Sequence, residues 1–188
     1  MTTLTSRFAL ILLVVLAGSM TLAADPCVSG VPVGKRPGPY SFLVATGPQR
    51  GQATCYICEQ HEGGKPAVVV FGRTLSAPLG RLLAKLDAAG ASKKDTGYKV
   101  WMTQLVETAD LDGLAKWAQD QGLKGVPVGA FEDTTGPPAY RLSRDADVTV
   151  MLFVKEKVVA NFAFRAGELD DKAIEGALKA VPKLFEAK

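Results

Sequence analysis

The sequence predicts an α/β fold in which a central mixed β-sheet is flanked by helices and completed by a C-terminal β-hairpin plus helix. Residues 66–71 form a continuous apolar run, which is typical of a strand covered on both faces. Residues 79–86 carry apolar side chains at helical spacing, and a second strand-like run follows at 98–103. Two further apolar runs, 148–154 and 158–164, flank three polar residues and predict a β-hairpin. Because strands alternate with helices, an α/β sheet is favoured.

Local signals complete the element order. Residues 125–138 form a loop-rich stretch with one short strand at 128–131. The last predicted helix extends to Val181 and presents an apolar stripe. Ser, Thr and Asp accept hydrogen bonds from the free N–H groups of a helix start, so they mark where each helix begins. The predicted caps in chain order are Thr74 or Ser76, Asp110 and Asp170.

The N-terminus has the order of regions found in a secretory signal. Arg7 precedes the apolar run 8–17, and the small residues Ala23 and Ala24 follow it. A membrane anchor is the alternative, but the run is shorter than the roughly 20 residues that a spanning helix needs. We therefore predict a signal peptide over 1–24 and an exported protein, periplasmic or secreted, with no stable membrane span after cleavage.

The rest of the chain divides into an irregular N-terminal lead-in, 25–52, and one domain, 53–188. The lead-in is rich in Gly and Pro and holds one strand candidate, 40–44. The formal net charge is +3, from 22 Lys and Arg against 19 Asp and Glu. Because the two signs are mixed along the chain without a basic run, we expect no nucleic acid among its partners.

Cys55 and Cys58 form a Cys-x-x-Cys motif, which is compatible with three chemistries. In the first, the two thiols exchange disulfides with a partner. In the second, they are inert, either as a structural disulfide or as two reduced thiols in a hairpin. In the third, they supply part of a zinc site. The zinc alternative would add Cys27 and His61 as ligands. An oxidising compartment makes unpaired thiols unusual, yet three cysteines cannot all pair within one chain. Cys27 is therefore free, bonded to another chain, or paired with either thiol of the motif.

Charges next to the motif in sequence bear on its reactivity. Glu59 and Glu62 are expected to raise the pKa of the thiols by like-charge repulsion. His61 would assist if its imidazole faced Cys58, three residues earlier. The more exposed sulfur would attack as the thiolate, and the sequence does not show which sulfur that is.

The element order resembles that of the thioredoxin-like superfamily, over roughly residues 40–185. Residues 148–153, followed by the polar turn 155–157 and the pair 158–159, are similar to the thioredoxin hairpin. The lead-in segment 31–39 is similar to the openings of peroxiredoxin-type redoxins. The resemblance implies a thioredoxin-like fold for the whole of this region.

Three differences make the chain a divergent member with a displaced motif. The family places its cysteines at the helix start that follows the first central strand, and here residues 71–78 contain none. Val148 stands where the family has a cis-proline. The peroxiredoxin signature, a Thr three residues before a helix-start Cys, is absent from the same position.

The resemblance implies thiol–disulfide exchange through Cys55 and Cys58, with no cofactor. The expected partners are protein thiols or disulfides, or a redox partner protein. In thioredoxins the first cysteine of the motif attacks, so the resemblance implies that Cys55 is the attacking residue. The alternative is a non-catalytic binding or scaffold module in which the cysteines are structural. Arg73, Thr74 and the loop 134–138 would then contact the partner, although a surface salt bridge is the simpler role for Arg73.

Overall fold

The computed structural model describes residues 25–186, and the predicted signal peptide lies outside these described residues. Two 3-10 turns, Ala91–Thr96 and Pro138–Tyr140, supplement the main elements. The strands are β1 (Phe42–Val44), β2 (Ala53–Thr54), β3 (Ala67–Gly72), β4 (Lys99–Leu105), β5 (Val128–Phe131), β6 (Val148–Val154) and β7 (Lys157–Phe164). The helices are α1 (Tyr56–Glu62), α2 (Ala77–Gly90), α3 (Leu111–Asp120), α4 (Asp171–Leu178) and α5 (Lys183–Glu186).

The strands form one mixed sheet in the spatial order β2-β1-β5-β4-β3-β6-β7. β3, β4 and β5 run parallel to one another, whereas β6 pairs antiparallel with β3, and β7 pairs antiparallel with β6. On the other side, β1 pairs antiparallel with both β5 and β2. The predicted α/β class, with its mixed sheet and C-terminal hairpin, is therefore confirmed.

β3 lies in the interior of the sheet, between β4 and β6, and is buried along its whole length, as its apolar run predicts. Val68 and Val70 belong to the core cluster that α2, α3 and α4 cover. Val69 and Phe71 belong to a second cluster, which contains residues of α1 and of the lead-in. Because side chains alternate along a strand, these two clusters lie on opposite faces. Helix α1 and helix α2 therefore cover different faces of the sheet.

The predicted helix caps are confirmed, with Ser76 rather than Thr74 as the first of them. Ser76 Oγ accepts a hydrogen bond from the Leu79 N–H, and Asp110 and Asp170 cap α3 and α4 in the same way. The last helix is shorter than predicted, because α4 ends at Leu178 and a separate turn of helix follows Pro182. Proline lacks an N–H and disfavours helical backbone in the residue before it, which explains the break.

Tyr40 joins the lead-in to the sheet through a buried polar network. Its hydroxyl accepts a hydrogen bond from Trp101 Nε1 at 2.9 Å and lies 2.8 Å from Thr103 Oγ1. Trp101 and Thr103 are fully buried on one face of β4. Burial raises the pKa of Tyr40 far above its ordinary value, so this hydroxyl stays protonated.

The start of the lead-in is fixed against the hairpin. The Gly34 N–H donates to the Val158 carbonyl at 2.8 Å, and the Val158 N–H donates to the Lys35 carbonyl at 3.0 Å. Asn161 Nδ2 donates to the carbonyls of Ser29 and Val31. The segment is irregular, yet it has defined partners on β7. Within the described part of the chain, no helix has the length and apolar character needed to cross a membrane.

Candidate thiol–disulfide site

Cys55 and Cys58 are joined by a disulfide in the first turn of α1. Their sulfurs are 2.07 Å apart and their Cα atoms 5.4 Å apart. Cys55 is the N-cap of the helix, and its sulfur accepts a hydrogen bond from the Cys58 N–H at 3.2 Å. The predicted alternative of a hairpin around the motif is wrong, because the motif lies in a short helix that the sequence did not reveal. Gly63, which follows this helix as its C-cap, was the residue in the sequence that could have indicated the end of a helix here.

Contacts other than the disulfide hold α1 in place. Tyr56 and Ile57 are buried in the second core cluster. The Tyr56 hydroxyl donates to Gln49 Oε1 at 2.7 Å. Lys99 lies 4.0 Å from the centre of the Tyr56 ring and 2.7 Å from Glu59 Oε2. The charge of Glu59 is thus compensated by Lys99, which weakens the repulsion that this carboxylate was expected to exert on the thiols.

The two sulfur-bearing residues differ in accessibility. Cys58 is exposed, whereas Cys55 is partly buried and packs against the second core cluster. Cys58 also borders an open cavity of about 360 Å³. An ion pair of Arg36 and Glu156, 3.0 Å apart, lines the same cavity. The remaining lining residues are Pro39, His61 and Glu62.

His61 lies in this cavity as a neutral imidazole at neutral pH. Burial lowers its pKa below the ordinary 6.5, and the nearby Arg36 lowers it further, against an opposing effect of Glu156. The ring packs edge-on against Phe153, with 5.6 Å between ring centres, and Nε2 is buried without a hydrogen-bond partner. His61 therefore supplies no positive charge to stabilise a thiolate of Cys58 at that pH.

The structure separates Cys27 from the motif. Cys27 is partly buried and unpaired, and its charged neighbours are Arg165, Glu168 and Asp145. Burial raises the pKa of its thiol. The four residues of the zinc alternative are thus not brought together, since Cys55 and Cys58 are bonded to each other. Over residues 25–186, no group of three or more His, Cys, Asp or Glu side chains is arranged to hold a metal ion.

An arginine with a structural role lies between β3 and the start of α2, where the resemblance would place the cysteines. Arg73, directly after β3, donates hydrogen bonds to the carbonyls of Ala146, Thr134 and Ser143. The expectation of a surface salt bridge for Arg73 is wrong, because its guanidinium donates its hydrogen bonds to backbone carbonyls of two loops. Val148 begins β6 beside this position, with an all-trans backbone throughout the described residues.

Comparison with known proteins identifies the class of fold. No protein-family model and no curated protein matches the chain. A putative protein disulfide isomerase from Bacteroides thetaiotaomicron is 14% identical, with a TM-score of 0.62 over 84% of this chain and 93% of its own. A putative thiol:disulfide interchange protein DsbE from Chlorobium tepidum is 15% identical, with a TM-score of 0.54 over 80% and 99%. A secreted disulfide oxidoreductase from Mycobacterium tuberculosis, homologous to E. coli DsbE, is 12% identical, with a TM-score of 0.54 over 75% and 95%.

These similarities establish the fold. The protein has a thioredoxin-like fold, as its element order predicts, and its structural neighbours include thiol–disulfide oxidoreductases. Its own Cys-x-x-Cys lies at the start of α1, before the first central strand, and the start of α2 carries no cysteine.

Proposed function

We propose that the protein is an exported thiol–disulfide exchange protein in which Cys55 and Cys58 form the redox pair. The observation that carries this proposal is the disulfide between them, which has one exposed residue beside an open cavity. A disulfide reacts with an incoming thiolate only where a sulfur can be reached. The partners are protein thiols or disulfides, or a dedicated redox partner protein.

The chemistry needs no added cofactor. The pair of sulfurs stores two electrons when reduced and releases them when the disulfide forms. In the reduced state, the Cys58 N–H remains available to the sulfur of Cys55, and a hydrogen bond to a thiolate favours its charged form. Helix α1 has only seven residues, so this single N–H matters more than the helix dipole.

Export is the second part of the proposal. It rests on Arg7, on the apolar run 8–17 and on the small residues before Asp25. An oxidising compartment is where a Cys55–Cys58 disulfide would persist between turnovers. N-terminal sequencing of the protein from its native host tests this part. A mature chain that begins near Asp25 supports export, and an intact Met1 in the cytosol contradicts it.

Reduction of insulin by dithiothreitol, followed as turbidity, tests the exchange activity. We expect the purified chain from residue 25 onward to accelerate precipitation, and Cys55→Ser and Cys58→Ser each to abolish the acceleration. Cys27→Ser is the matched control, because Cys27 is also partly buried but takes no part in the disulfide, and it should keep full activity. Circular dichroism confirms that the variants are folded.

A redox titration against glutathione distinguishes an exchange pair from a structural bond. Alkylation and mass measurement give the reduced fraction at each ratio. We expect reversible titration with a potential above about −300 mV. A bond that resists reduction in that range, or variants that keep activity without Cys55 or Cys58, would show that the cysteines are structural and would favour the scaffold alternative.

A further inference from the structure

We propose that partners exchange at Cys58, and that Cys55 is the leaving and resolving sulfur. This assignment rests on the proposed exchange function and deepens it, because it fixes which residue carries the mixed disulfide with a partner. It reverses the order that the resemblance to thioredoxins implies. Two independent observations support it, one on access and one on the stability of the departing thiolate.

Access favours Cys58. An attacking thiolate must approach one sulfur along the line of the S–S bond, from the side opposite to the other sulfur. Cys58 is exposed and borders the cavity of about 360 Å³, whereas Cys55 packs against the second core cluster. The apolar side chains that Cys55 packs against restrict the approach to it, whereas Cys58 borders an open cavity.

The leaving sulfur also favours attack at Cys58. Exchange is faster when the departing thiolate is the more stable one. If Cys58 is attacked, Cys55 departs, and its sulfur already accepts the Cys58 N–H at 3.2 Å. Among the described residues, the sulfur of Cys58 accepts no hydrogen bond, and the exposed Glu62 lines the cavity beside it. Arg36, which lines the same cavity, is paired with Glu156, so its charge offsets little of this difference. A thiolate on Cys58 is therefore less stabilised than one on Cys55, which makes it the poorer leaving group.

Exchange between the oxidised protein and a partner dithiol proceeds in two steps. The first partner thiolate bonds to Sγ of Cys58, the bond between Cys58 and Cys55 breaks, and its electron pair remains on Cys55. The second partner thiolate then attacks the partner sulfur of the mixed disulfide and releases Cys58 as a thiolate. Two electrons have passed from the partner to the protein, and the two protons of the partner thiols end on Cys55 and Cys58. In the reverse direction, Cys58 attacks a partner disulfide and Cys55 resolves the mixed disulfide.

A rapid-quench experiment with glutathione as the probe tests the assignment. Oxidised Cys27→Ser protein, which contains only the motif cysteines, is mixed with excess reduced glutathione. It is quenched at the shortest accessible times with a large excess of N-ethylmaleimide near neutral pH, which blocks the released thiolate and the remaining glutathione. Fragmentation of the tryptic peptide 51–73, which contains both Cys55 and Cys58, then shows which sulfur carries glutathione and which carries maleimide.

We expect glutathione on Cys58 and maleimide on Cys55, in at least about tenfold excess over the reverse pattern. Glutathione on Cys55, or an even distribution, would overturn the assignment. In that case insulin reduction by the same protein would show that the exchange function itself stands. A protein that forms no adduct and reduces no insulin would overturn both the assignment and the proposed function.

Discussion

Reduction of the Cys55–Cys58 disulfide is predicted to cost the fold little stability. A disulfide stabilises mainly by restricting the unfolded chain, and the effect grows with the number of residues it encloses. Here the bond encloses a ring of four residues, because the cysteines are three apart in sequence. The chain-entropy relation then gives about 2 kcal/mol at 25 °C for that ring. For a domain of this size, such a loss lowers Tm by roughly 4–8 °C.

The contacts of α1 explain why the fold should survive reduction. The burial of Tyr56 and Ile57 and the ion pair of Glu59 with Lys99 do not depend on the S–S bond. A fully buried side chain of this kind contributes roughly 1.5–3 kcal/mol, which is comparable with the disulfide itself. Reduction should therefore loosen the first turn of α1 and leave the sheet intact.

Urea unfolding of the Cys27→Ser protein, with and without dithiothreitol, measures this difference. The intrinsic fluorescence of the buried Trp101 reports loss of the core. We expect the midpoint to fall by an amount equivalent to about 2 kcal/mol or less, with an unchanged denaturant slope. A loss of more than about 4 kcal/mol, or a reduced protein that does not fold, would refute the reasoning and identify the disulfide as a structural staple.

Two further predictions concern buried polar groups. Tyr40→Phe should destabilise the protein by about 2–4 kcal/mol, because Trp101 Nε1 and the Thr103 hydroxyl lose their buried partner. Adding Thr103→Val should recover part of that loss in urea unfolding, and strictly additive losses would contradict a shared network. His61 has a folded-state pKa below its ordinary 6.5, so its contribution to stability is complete above pH 6.5 and is lost as pH falls from there through the folded-state pKa. Unfolding measured between about pH 7.5 and pH 5 should therefore show a slope that His61→Phe reduces, and an equal slope in both proteins would show that other groups cause it.

The fold could be predicted because its central elements carry their signals locally. β3 is a continuous apolar run because both of its faces are covered, and α2 repeats leucines on its buried side. The caps at Asp110 and Asp170 depend only on residues three positions along the chain. These patterns need no knowledge of distant contacts.

The candidate site could be predicted only in part. Cys55 and Cys58 are visible in the sequence, but α1 has only seven residues. Its buried positions are Tyr56, Ile57 and Gln60, and because Gln60 is polar, no apolar stripe at helical spacing marks the helix. The pairing of Lys99 with Glu59 joins residues forty positions apart. The position of Arg73 is likewise decided by carbonyls of distant loops. The greater exposure of Cys58 and the partial burial of Cys55 follow from such contacts, and sequence spacing does not encode them.

The lead-in has a consequence for how a partner reaches the disulfide. β7 is the outermost strand on its side of the sheet, and free backbone groups at a sheet edge invite pairing with another chain. The Gly34 N–H donates to the outward C=O of Val158, and the Lys35 carbonyl accepts from its N–H. The next residue, Arg36, lines the cavity beside Cys58. A partner that pushed this segment aside would uncover the strand and promote edge-to-edge aggregation. Under the proposed exchange function, a partner would therefore have to approach with the lead-in in place, which favours a thiol on a protruding loop or a flexible peptide over one recessed in a flat surface.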